Sequence, residues 1–186
     1  CDDLNSLDGD GCSSTCVVED GWECINEPSI CERVELTPPG EDCYNASPIF
    51  TDSGEVTENY GATDDYNLPS ANSCTGWPTD GPDVYYSVRL EPGETFQAIV
   101  KAFAPGGYFF YDVSIYLLRS CPATSFGCIA GADDEIFSPP EETLTFTWPT
   151  SQSQAHTFYF GIDTYCNGEF TCPTSDDFFT LTWTIE

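Results

Sequence analysis

A chain of 186 residues with 32 Asp plus Glu against 4 Lys plus Arg carries a formal net charge of -28, which repels nucleic acid and anionic membranes and excludes both as partners. Its 11 cysteines lack the C-x-x-C pairs of zinc ribbons, so they read as cystines of an extracellular or cell-surface protein. No run approaches the roughly 20 apolar residues of a membrane span, so no insertion into a bilayer is expected.

Residues 1–36 form the first predicted unit. Five cysteines (Cys1, Cys12, Cys16, Cys24, Cys31) stand among Asp, Asn, Gly and Ser, with only Val17, Val18, Trp22 and Ile25 available for a miniature core. Such a segment needs covalent or metal staples to fold. Asp3, Asn5, Asp8 and Asp10 place four oxygen side chains close together, and Gly9 and Gly11 permit turns that bring backbone carbonyls among them. Hard cations require that donor set, so Ca²⁺ is the expected cofactor; the plainer reading is that Asp and Asn simply favour turns. The stretch Cys1-Asp2-Asp3-Leu4-Asn5, the centre Asp8-Gly9-Asp10-Gly11-Cys12-Ser13, Cys16 and the ending Gly21-Trp22-Glu23-Cys24 resemble the disulfide-rich repeat of exported myxobacterial proteins. Leu4 departs from it, standing where that repeat usually has glycine. The resemblance implies an exported surface protein and no particular activity. Thr37-Pro38-Pro39-Gly40 follows as a stiff linker, residues 37–40.

Residues 41–186 read as a chain of strands. Val84 to Leu90, Thr95 to Phe103, Tyr111 to Leu118, Thr143 to Trp148, Thr157 to Ile162 and Phe178 to Ile185 are rich in β-branched and aromatic residues and are bounded by turn signals. In Leu144-Thr145-Phe146-Thr147-Trp148 and along Phe179 to Ile185 the period is two, as in half-buried strands. With no stretch long enough for a helical crossover, the fold class is all-β: an antiparallel, jelly-roll-like β-sandwich carrying a small N-terminal disulfide-rich, loop-dominated module.

Proximity in sequence suggests the pairs Cys43 with Cys74, Cys121 with Cys128, and Cys166 with Cys172. Cys12, Cys16, Cys24 and Cys31 then pair within the first unit, leaving Cys1 as the candidate for a bond to another chain. Asn45-Ala46-Ser47 fits the glycosylation triplet, making Asn45 a candidate site and an outward-facing one.

The run Gly81-Pro82-Asp83-Val84-Tyr85-Tyr86-Ser87-Val88, the strand Asp112 to Leu117 and the segment Phe158-Tyr159-Phe160-Gly161-Ile162-Asp163 look like the β-sandwich of bacterial pre-peptidase C-terminal domains. Relatives there are accessory modules for export, adhesion or substrate binding, and some hold calcium at one edge. That resemblance implies Asp64, Asp65, Asp133 and Asp134 as calcium ligands, against a plainer reading as solvated turn acids.

No catalytic constellation stands out. His156 is the single histidine and has no Gly-x-Ser-x-Gly elbow with it, and with 32 acids any chosen carboxylate pair is uninformative. Trp148 and Trp183 sit in alternating strands as core residues, whereas Trp77, between Gly76 and Pro78, is the candidate ligand-facing aromatic. The expected function is a non-enzymatic, calcium-binding structural or adhesive module of an extracellular assembly such as a filament or tubule, partnered by copies of itself or by surface glycans. The alternative is a carbohydrate- or protein-binding accessory module of a secreted hydrolase.

Overall fold

The computed structural model describes residues 15, 17–18, 22–25, 30–33, 40–60, 63–64, 66–68, 74–103, 112–121, 127–133, 141–166, 172–173 and 177–186. Backbone contacts divide the chain into two compact units, Cys1–Thr37 and Pro38–Glu186. In the first, β1 (Trp22–Ile25) pairs antiparallel with β2 (Ile30–Arg33), which sets Cys24 opposite Cys31. Cys24 is disulfide-bonded.

The second unit is a β-sandwich. Its strands are β3 (Ser47–Ile49), β4 (Ser53–Asn59), β5 (Val84–Leu90), β6 (Thr95–Phe103), β7 (Asp112–Leu118), β8 (Cys128–Ala132), β9 (Glu141–Thr147), β10 (His156–Tyr165) and β11 (Phe178–Ile185). One sheet runs β4-β11-β6-β9 and the other β3-β5-β10-β7-β8. From β4 onward every pairing is antiparallel, and the interleaved order β4-β11-β6-β9 over β5-β10-β7-β8 is that of a jelly roll. β3 departs from the expected all-antiparallel pattern, joining the edge of β5 in parallel.

Alternation decides which side chains meet between the sheets. Val84, Tyr86, Val88 and Leu90 from β5, Val113, Ile115 and Leu117 from β7, and Phe158, Phe160 and Ile162 from β10 pack against Phe96, Ala98, Val100, Leu144, Phe179 and Leu181 of the facing sheet. Trp148 is buried in this core, 5% exposed, and Trp183 packs against it, as their place in alternating strands predicts. β4 and β8 escape sequence reading because each supplies little apolar surface: Ser-Gly-Glu-Val-Thr-Glu-Asn offers only Val56, and Cys-Ile-Ala-Gly-Ala is mostly small.

The opposite face of the five-stranded sheet is also buried. Tyr85, Tyr116 and Leu118 point away from the main core and form a second cluster with Cys43 and Leu68, two residues of the loops that cover this face. Gly40 opens the covering segment at φ 96, a conformation that favours glycine, and its carbonyl accepts the Tyr85 N–H at 2.5 Å. Asp42 then caps a 3-10 turn (Cys43–Asn45) by accepting the N–H groups of Tyr44 and Asn45.

Disulfides fasten this cover, and here the local pairings expected from sequence are corrected. Cys43 bonds Cys121, not Cys74, and Cys74 bonds Cys128, so neither Cys43–Cys74 nor Cys121–Cys128 forms. The physical reason is that both cover segments lie on the outer face against the β7–β8 hairpin, so cysteines far apart in sequence become neighbours. A Cβ on Gly131 of β8 would approach the Cys74 carbonyl to 2.8 Å, which shows how closely the cover runs. Cys166–Cys172 forms as expected.

Gly161 of β10 is opposite both Tyr85 and Tyr116, and a Cβ there would lie 2.4 Å from the Tyr116 ring. Its missing side chain is the room into which that ring leans. Gly161→Ala is therefore expected to destabilise the sandwich by about 1–3 kcal/mol through overpacking, read by chemical denaturation; an unchanged midpoint would show that the ring moves freely.

Candidate functional site

Under the cover lies a row of buried carboxylates. Ser114 pairs with Asp163 in the β7–β10 register, and carrying the β5–β10 and β7–β8 registers on by one residue sets Asp83 opposite Asp163 and Asp133 opposite Ser114. The row Asp83, Asp163, Ser114, Asp133 thus crosses four adjacent strands or their ends. Asp83, Asp163 and Ser114 are fully buried and Asp133 is 4% exposed. All four share the parity of Tyr85 and Tyr116, so they face the cover and not the main core.

Asp163 is held by a network. Oδ1 accepts the Thr164 N–H at 2.7 Å, and Oδ2 accepts the Tyr116 hydroxyl at 3.2 Å. Because Tyr116 donates there, it accepts from the Tyr85 hydroxyl 2.7 Å away. Thr79 also bonds Asp163, while its Oγ1 accepts the Leu68 N–H at 3.0 Å. Asp83 Oδ2 accepts the Tyr66 N–H at 2.9 Å, and Asp133 accepts the Ser114 hydroxyl. Every one of these donors comes from a strand or from the cover, so the cover both dries the row and supplies part of its hydrogen bonds.

These bonds do not offset the burial of charge. Desolvation, reinforced by Asp83, drives the Asp163 carboxyl well above the ordinary carboxylate range despite three hydrogen bonds that oppose the rise. Burial, with the nearby carboxylates, also pushes the Tyr85 and Tyr116 phenols far up, so both remain neutral donors. On the same face of β7, Asp112 is 7% exposed, its Oδ1 receives no hydrogen bond, and burial raises its carboxyl. The ion pairs Arg89–Glu91 at 3.0 Å and Lys101–Glu141 at 2.9 Å lie on the surface.

The residues expected from sequence are placed as follows. Asp64 is exposed and Asp133 is buried in the row. Asp3, Asn5, Asp8, Asp10, Asp65 and Asp134, with Cys1, Cys12 and Cys16, lie outside the described residues. Among the described residues no three His, Cys, Asp or Glu side chains converge as a ready-made metal cluster. Asn45 is exposed, and the Trp77 ring is 55% exposed. His156 Nε2 donates to the Arg119 carbonyl at 2.9 Å, a structural bond at the head of β10. Asp83 and Asp163 were missed as site residues, although Asp163 stands inside the apolar run of β10 and Asp83 directly precedes β5.

No known family profile matches the chain. It is 31% identical to human Pappalysin-1 over 86 residues, covering 41% of this chain and 5% of that protein. The mouse Pappalysin-1 match is 31% over 90 residues, covering 44% of this chain and again 5% of the relative. Among solved structures, the enzymatically active domain of bacteriophage CBA120 tailspike protein 4 aligns with TM-score 0.31 and 9% identity over 73% of this chain and 20% of that one. A carbohydrate-binding module of the β-sandwich superfamily aligns with TM-score 0.28 and 14% identity over 72% of this chain and 52% of that one. The chain spans about one twentieth of the pappalysins it matches, so these likenesses assign it to no family.

Proposed function

We propose that the chain is a non-enzymatic structural or adhesive module of an extracellular protein, braced by cystines and cemented by Ca²⁺, and that it assembles with copies of itself. The observation that carries this reading is the Asp83–Asp163 pair: two carboxylates without solvent exposure, Asp163 in β10 and Asp83 at the head of β5, each accepting a backbone N–H, with Asp83 helping to raise the Asp163 carboxyl. A buried pair of like charges must take up a proton or a cation. Carboxylate and hydroxyl oxygens suit a hard cation, with Asp83, Asp163 and the Thr79 hydroxyl as first ligands. The N-terminal acids Asp3, Asn5, Asp8 and Asp10 form a second expected site by their close spacing on a glycine-punctuated loop. Three cystines in the second unit support an oxidising compartment, and no helix among the described residues is long and apolar enough to cross a membrane.

Self-assembly through sheet edges is the expected mode. β4 and β9 bound one sheet and β3 and β8 the other, and edge strands accept added strands. Pro48 removes one N–H from β3 and blunts that edge.

A thermal melt with millimolar Ca²⁺ and with EGTA tests the proposal, since a ligand bound by the native state alone raises its stability by mass action. At a hundredfold excess over the dissociation constant the gain is about 2.7 kcal/mol, or roughly 5–10 °C for a chain of this size. Large particles in light scattering are expected to disperse with EGTA. Identical melts and identical particle sizes in the two buffers would refute the calcium reading.

A further inference from the structure

A second site lies on the surface where the β9–β10 loop meets the end of β7. Arg119, Trp148, Gln152, Ser153, Gln154 and His156 line a cleft of about 270 Å³, near the size of one sugar ring. Among the described residues no carboxylate lines it, in a chain of 32 acids. The sequence accounts for this: no Asp or Glu occurs between Asp112 and Asp133, or between Glu142 and Asp163, and the cleft is built from those two stretches.

Arg119 sets the chemistry. Arg89 and Lys101 each hold a carboxylate, whereas Arg119 has no ion pair among the described residues and instead lies over the Trp148 ring, 5.4 Å from its centroid. Stacking uses the face of a guanidinium and leaves the N–H donors at its edge free for a planar anion. The rest of the cleft is fixed in advance. Trp148 Nε1 donates to the Gln154 carbonyl at 3.1 Å, Trp148 N donates to the Glu94 carbonyl at 2.9 Å, and His156 Nε2 donates to the Arg119 carbonyl at 2.9 Å. The Gln152, Ser153 and Gln154 side chains are exposed, and amides and hydroxyls both donate and accept.

We propose that this cleft binds a carboxylated sugar, with the carboxylate on the Arg119 fork and the ring hydroxyls on Gln152, Ser153 and Gln154. A bare carboxylate would use the arginine alone and leave the three neutral side chains without a role. The distant acids of the protein are screened beyond about 8 Å at physiological salt, so its net charge does not forbid an anion at this spot.

The test is an NMR titration of the full chain at physiological salt with methyl glucuronide and, in parallel, methyl glucoside. The glucuronide is expected to shift the Arg119 Nε–H and the Gln152 and Gln154 side-chain amides, and the glucoside to shift none of them. Arg119→Gln is expected to weaken binding about tenfold or more, and Arg119→Lys similarly, because an ammonium keeps the charge but loses the planar fork. Spectra of both variants elsewhere in the sandwich report that it remains folded. EGTA is expected to leave this binding unchanged, since none of these groups belongs to the buried carboxylate row. Absence of shifts at the cleft, equal affinity for the glucoside, or undiminished binding by Arg119→Gln overturns the proposal, and tighter binding of a glutamate-containing peptide would replace the sugar by a protein carboxylate.

Discussion

Replacing Cys43 and Cys121 together by alanine is expected to cost about 4 kcal/mol of stability and to lower the melting temperature by roughly 10–15 °C. The bond closes a loop of sequence separation 78, so its absence frees a large part of the unfolded chain. The loss is a substantial share of the 5–15 kcal/mol typical of a whole domain. Alanine is the right replacement because Cys43 is fully buried among Tyr85, Tyr116 and Leu118, where a serine hydroxyl would need a new partner. Removing Cys166–Cys172, with a separation of only 6, is expected to cost about 2 kcal/mol on the same entropic argument. The larger loss should also be a local one. Cys43 holds the cover over the acidic row, so the amide of Tyr85, bonded to the Gly40 carbonyl, is expected to exchange faster with solvent in the double variant. A double variant melting within a few degrees of the parent, with that amide still protected, would mean that the cover docks by packing alone.

Which parts of this architecture were legible in the sequence follows from where the information resides. β5, β6, β7, β9, β10 and β11 each carry their own alternation of apolar and polar residues, so each is visible one strand at a time. β7 shows the limit of that signal, because all seven of its residues are buried, the even-numbered ones beneath a cover that periodicity does not announce. The cysteine pairing failed for the same reason. Proximity along the chain serves for Cys166 and Cys172, in the connection between β10 and β11, but fails for Cys121 and Cys128 at the β7–β8 hairpin, because Cys43 and Cys74 belong to loops laid across that face and take them as partners. Asp133 was expected from the resemblance to edge-loop calcium ligands, and the structure places it in a row whose other members, Asp83 and Asp163, come from different strands. Their juxtaposition depends on register, and no single stretch of sequence contains it.

The same register makes Asp163→Asn the most informative single substitution. In the folded protein the Asp163 carboxyl titrates well above its unfolded value of about 3.9, so the native state holds a proton that the unfolded state releases. The stabilisation linked to that proton is complete below about pH 4 and is lost as the pH rises through the elevated folded value. In EGTA, the wild type is therefore expected to lose stability between mildly acidic pH and pH 8, with a contribution of up to about 1.4 kcal/mol per pH unit from this one proton. Asparagine keeps an oxygen to accept from the Thr164 N–H, sets an N–H₂ where Oδ2 stood so that the Tyr116 hydroxyl must turn from donor to acceptor, and carries no charge. Asp163→Asn is expected to be more stable than wild type at pH 8 without calcium, and its stability should vary less with pH. Adding Ca²⁺ should reverse the ranking, raising the melting temperature of the wild type while leaving that of the variant nearly unchanged at this site. If instead the variant melts below the wild type at every pH and gains as much from Ca²⁺, Asp163 is a hydrogen-bonding strut and the cation sits elsewhere. A variant that is stabilised in EGTA while the wild type ignores Ca²⁺ would identify the Asp83–Asp163 pair as one neutralised by a shared proton alone.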